Sequence, residues 1–137
     1  MFKNIMIPVE FPHTDRLSRV LEISGMLAKV GGGTLHLVHV GANPSGEEGK
    51  SLDDQQLKLE NFAAEVSVSH KVPVRANTIV AHDPKGELNS RLMSAVKSTN
   101  ADLVVVGSHV PVLGDYFFTS HGGYLAEHAE VSVFVVR

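Results

Sequence analysis

Five short apolar runs alternating with stretches of helical periodicity restrict this chain to very few architectures. Ile5 to Val9, Leu35 to Val40, Val74 to Ala81, Asp102 to Val106 and Ser132 to Val136 read as strands. Leu17, Val20, Leu21, Ser24, Leu27 and Ala28 repeat at helical spacing, and Gly31-Gly-Gly33 stops that helix. Ser51-x-x-Asp54 resembles a capping box ahead of the stripe Leu59, Phe62, Ala63 and Val66. Asp83-Pro84 reads as an N-cap with proline at the first helical position, before Leu88, Leu92, Ala95 and Val96. Gly122, Leu125, Ala126 and Ala129 mark the last helix, whose start is expected at Thr119 and Ser120. Gly41 to Lys50, rich in glycine, is the one loop insert.

This succession predicts an α/β fold: a doubly wound, five-stranded parallel sheet with helices on both faces. Its 137 residues suit a single domain, 1–137. The third strand is more polar than the others, as a sheet edge is. Under a strand order of 3-2-1-4-5, the winding reverses between strands 1 and 4, and ligands of open α/β sheets bind beyond the carboxyl ends there. Those ends are Pro8-Val9-Glu10 and Gly107-Ser108-His109. Gly107 lets backbone turn and approach a ligand with no side chain in the way. A hydroxyl-capped helix start at Thr119-Ser120-His121 would add amides aimed at an anion, a candidate phosphate cradle. Simple capping by Thr119 or Ser120 is the plainer reading, and the two are compatible.

Composition narrows the chemistry. With no cysteines, the chain has no disulfides, thiol catalysis or zinc–thiolate site. A net charge of −3 argues against a nucleic-acid partner. No apolar run approaches the roughly 18 residues of a membrane span, and the first residues show no signal-peptide pattern. A cytoplasmic protein is expected. His36 and His39, three apart in a strand, point to opposite faces and cannot clasp one ion. His109 and His121 lack a third ligand, and no Ser-His-Asp spacing stands out, so neither a metal site nor an evolved hydrolase is expected. Val110, Val112, Leu113, Tyr116, Phe117 and Phe118 make an apolar loop, expected to pack on the fourth helix or a second copy rather than to dock another protein.

Across its whole length the chain resembles the universal stress protein family. The resemblance is carried by Lys3-Asn-Ile-Met-Ile-Pro-Val-Glu10, Leu35-His-Leu-Val-His-Val40, Asp83-Pro84, Ala101-Asp-Leu-Val-Val-Val-Gly-Ser-His109 and His128-Ala-Glu-Val-Ser-Val-Phe-Val-Val-Arg137, in that order and spacing. It implies the adenine nucleotide alpha hydrolase-like fold, a homodimer through the C-terminal strand, and in one branch an adenine nucleotide at the switch point. Glu10 stands where the family has aspartate; it would accept from ribose hydroxyls or the adenine amine, or is a solvated loop acid. Val40 would give the adenine an apolar wall and backbone polar groups. The branch pattern is Gly, two residues, Gly, nine residues, then Gly with Ser or Thr. Gly107 matches its first glycine, Val110 replaces the second, and Thr119-Ser120 stands for the last element without its glycine. His109-Val-Pro111 is similar to a family variant of that loop.

The resemblance thus implies a nucleotide-binding stress-response protein acting through regulated association, at most a slow ATPase, with ATP, ADP or AMP and Mg2+ as the ligand set and a regulatory protein as a further partner. The competing expectation is a nucleotide-independent dimeric module docking on a transporter or signalling protein. No Lys or Arg lies between Lys97 and Arg137, so bound phosphate would rest on amides, hydroxyls, His109, His121 and magnesium.

Overall fold

Strand and helix follow one another as the apolar runs dictate, in a computed structural model that describes residues 1–11, 14–42, 52–107 and 116–137. Of these, the side chains of 15, 16, 85 and 116–121 lie outside the description. β1 (Asn4–Pro8), β2 (Thr34–Ala42), β3 (Val74–Ala81), β4 (Leu103–Gly107) and β5 (Ser132–Val136) form one parallel sheet ordered β3-β2-β1-β4-β5. The connections are α1 (Ser18–Gly31), α2 (Leu52–His70), α3 (Pro84–Ser98) and α4 (Tyr116–His128), with a 3-10 turn, Thr14–Leu17, leading into α1.

Alternation along the strands sorts the core into two layers. Ile5, Ile7, Leu35, Leu37, Leu103 and Val105 pack under α1 and α2 through Val20, Leu21, Leu59, Ala63 and Val66. Met6, Val38 and Val104 face α3 and α4 through Leu92, Ala95, Val96 and Leu125. The central strands are apolar on both faces because both faces are covered. Among the described residues, no helix is long and apolar enough to cross a membrane.

The glycine stop works by shape. Gly32 takes the left-handed conformation (φ 62°), and the Gly33 amide donates back to Ala28 O at 2.8 Å. Gly31 and Gly33 press on the Phe2 carbonyl so closely that a Cβ at either would collide with it. The two outer strands differ. Leu35 N–H is bonded to Pro73 O, and the alternation from there turns the main-chain groups of Ala76 and Thr78 outward. Gln56 of α2 takes both: its Nε2 donates to Ala76 O at 3.2 Å and its Oε1 accepts from Thr78 N at 3.0 Å. On β5, Phe134 and Val135 are exposed.

Four local expectations are corrected. α4 begins at Tyr116, so Thr119 and Ser120 are its fourth and fifth residues, not its cap. Hydroxyl capping contributes only about 1 kcal/mol, too little to fix a helix start against the rest of the fold. Asp83 precedes α3 but makes no side-chain cap bond; instead Glu87 Oε2 accepts from the Asp83 amide at 2.8 Å. β2 runs on through Gly41 and Ala42 beyond Val40, taking two residues of the expected insert. Ala126, expected on the inner face of α4, is exposed, while Leu125 is fully buried. Residues 43–50, Ser51 and 110–115 lie outside the described residues, and with them the capping box and much of the apolar loop.

Candidate functional site

The switch point lies between β1 and β4, which pair in parallel through Ile5–Leu103 and Met6–Val104. Their carboxyl ends, with that of β2, bring Pro8, Val9, Glu10, Val40 and Gly107 to one edge of the sheet. β1 leaves the ladder at Pro8, opposite Val38. Val9 is buried and stays tied to β2, its amide donating to Val38 O at 2.8 Å. Glu10 is exposed one residue further on. Val40 is half-buried and packs with Ile79 and Leu88 on the α3/α4 layer.

Gly107 ends β4 opposite Val136. Neither usual reason for a glycine holds there. Its φ is not in the left-handed region, and a Cβ would meet Val20 Cγ2 at 3.4 Å, an ordinary contact. Among the described residues nothing else comes within 4 Å of that Cβ position, which suits close approach by a ligand. Ser108 and His109 lie outside the described residues. Thr119, Ser120 and His121 are helical, and their side chains lie outside the description.

A cluster that the sequence reading did not single out adjoins these strand ends. His39, on the α1/α2 side of β2, brings its Nδ1 to Val9 O at 3.1 Å. Phe11 meets the His39 ring edge-on at 5.1 Å and Phe62 at 6.4 Å, while Lys58 Nζ sits 4.5 Å over the Phe11 ring. Burial holds the His39 pKa below its ordinary value, helped by Lys58 and opposed by hydrogen bonds to Val9 and Gln55. The signal available was parity: His39 shares the face of Leu35 and Leu37. His36, on the opposite face, meets Asn4 Oδ1 at 3.0 Å, so the two histidines are apart, as the spacing predicts. A groove of about 400 Å³ between α1 and α2 is lined by Thr14, Leu21, Glu22, Phe62, Glu65 and His70 among others. It includes none of the strand-end residues, and the topology argues for the strand ends as the site.

The model of the universal stress protein family matches residues 1–137. Universal stress protein G of Escherichia coli O157:H7 is 26% identical over 153 aligned positions that span all of both chains. The structure of a universal stress protein from Archaeoglobus fulgidus superposes with a TM-score of 0.75 at 14% identity, covering 100% of this chain and 95% of that one. A structure of the universal stress protein from the same organism in complex with dAMP gives 0.70 at 17% identity, covering 98% of each chain. These structural likenesses extend to the fold: the same five-stranded sheet wound on both faces.

Proposed function

The chain belongs to the universal stress protein family, and from that premise we propose that it binds an adenine nucleotide at the β1–β4 switch point and acts through nucleotide-dependent association. The observation that carries this is Gly107, a glycine that neither its backbone conformation nor packing among the described residues explains, beside the exposed Glu10. The dAMP held by the Archaeoglobus relative supports the ligand class.

In this reading Val40 walls the adenine, Pro8 offers it a carbonyl, and Val9, its amide and carbonyl engaged by Val38 and His39, holds the end of β1 beside it. Glu10 accepts from the ribose hydroxyls. The main chain at Gly107 and Ser108 lets the phosphates come close, and His109, Thr119, Ser120 and His121 serve them with hydroxyls and imidazoles. With no Lys or Arg between Lys97 and Arg137, Mg2+ supplies the positive charge that ATP needs. Turnover is at most slow, and the output is binding: a cytoplasmic stress-response regulator that meets a protein partner. Self-association runs through β5, whose apolar outer side, with Phe134 44% and Val135 37% exposed, fits an isologous pair.

The test is calorimetric titration of ATP, ADP and AMP with and without Mg2+, beside mass spectrometry of small molecules released on denaturing the purified chain. The expected result is adenine nucleotide binding that weakens sharply without Mg2+ for ATP, on a species scattering light at twice 14.8 kDa. Neither released nucleotide nor binding heat would leave the nucleotide-independent dimeric module; a stable monomer would remove the β5 pairing.

A further inference from the structure

Glu10 has no regular secondary structure of its own, yet both its neighbours are held by the same imidazole. On one side His39 Nδ1 meets the Val9 carbonyl at 3.1 Å; on the other the His39 ring packs against Phe11 at 5.1 Å. The ring does not float. It sits on a strand paired on both sides, and Gln55 of α2 hydrogen-bonds to it while donating from Nε2 to Ala42 O at 3.1 Å. Phe11 is wedged in turn by Phe62 and Lys58 of α2. The Val9 carbonyl lies past the end of the β1 ladder, where the sheet no longer provides it with a donor.

We propose that His39 is a positioning residue for the nucleotide site, fixing the Val9–Phe11 backbone so that Glu10 is presented to the ribose in one geometry. The inference rests on the nucleotide reading above. His39 acts through Glu10, so its effect belongs to the nucleoside half of the ligand and is indifferent to the phosphates.

Adenosine and ATP binding are measured by calorimetry for the wild-type chain, His39→Leu, His39→Asn and Glu10→Gln, with thermal melts on each. His39→Leu removes the donor and is expected to weaken adenosine and ATP equally, by about tenfold. His39→Asn, whose amide nitrogen can reach the Val9 carbonyl, is expected to regain most of that loss. In the Glu10→Gln background, His39→Leu is expected to cost little more, since a residue acting through Glu10 loses its route. Where His39→Leu does not fold, Phe11→Leu, which removes the other arm of the hold, is expected to weaken binding about threefold with the same dependence on Glu10. Unchanged affinity in folded His39→Leu, or a loss as large without the Glu10 carboxylate as with it, overturns the inference and leaves the nucleotide reading standing. A wild-type chain that binds neither adenosine nor ATP overturns both.

Discussion

At the amino end of the sheet, Asp102 accepts from the amides of Lys3 and Asn4 at 2.8 and 3.1 Å, Asn4 meets His36, and Lys3 Nζ donates to Gly31 O at 2.6 Å. Gly31 and Gly33 leave no room for a side chain against Phe2. At the carboxyl end, the acid is the exposed Glu10 and the glycine is Gly107, with space for a methyl group. Glycine, carboxylate and histidine occur at both ends. At one they close the structure; at the other the acid is exposed, and a Cβ on the glycine would meet no described atom closer than 3.4 Å. The contrast sets tightly packed residues against exposed or loosely packed ones, and the second group lies at the edge where open α/β sheets place their sites.

The glycines give the strongest way to break this contrast. Gly33→Ala sets a Cβ 2.5 Å from the Phe2 carbonyl and is expected to cost about 3 kcal/mol in urea unfolding. Gly107→Ala is expected to stay within about 0.5 kcal/mol of wild type while losing nucleotide affinity. Equal destabilisation by the two would erase the distinction. The acids should repeat the pattern more gently. Asp102→Ala removes the acceptor of two amides, one exposed and one part-buried, and is expected to cost about 1 kcal/mol; Glu10→Ala is expected to weaken adenosine binding by more than it shifts the unfolding midpoint.

The smallest effect expected is with pH. Burial lowers the pKa of His36, with Arg75 adding to it, and burial lowers that of His39. The folded chain therefore holds fewer protons than the unfolded one near the ordinary histidine value of about 6.5. The stability linked to these residues is complete above that value and is lost as pH falls through it toward the lower folded values. The urea midpoint should drop between about pH 7.5 and pH 5.5, and His36→Asn and His39→Asn should each flatten the slope. A midpoint higher at the acid pH would contradict the burial of both rings.

The layers were readable in the residues because the signals are local and repeated. Ile5 and Ile7 against Met6 fix the two faces of β1, and Gly31 to Gly33 can hardly do anything but end a helix. The strand-end cluster of Val9, Glu10 and Gly107 followed from topology. What escaped the reading depends on partners distant in sequence or on margins of about 1 kcal/mol. Tyr116 rather than Thr119 opens α4 because capping preferences are weak beside tertiary packing. Phe11 and His39 meet only once α2 brings Phe62, Gln55 and Lys58 over the β1 exit, and no periodicity announces such a meeting.

Gln56 gives the sheet a direction of growth. Its amide fills the outer main-chain groups of Ala76 and Thr78 as a further strand would, so β3 is stoppered in its middle, while β5 exposes Phe134 and Val135. An object with one connector can be joined only once. Were two copies to meet through their β5 strands, as proposed, each would use up the other's connector, and among the described residues the opposite sheet edge would be stoppered against a third. On the β5 pairing proposed above, the stopper on the other side gives association a built-in end, and the exposed Phe134 and Val135 would then serve a pair rather than a fibre.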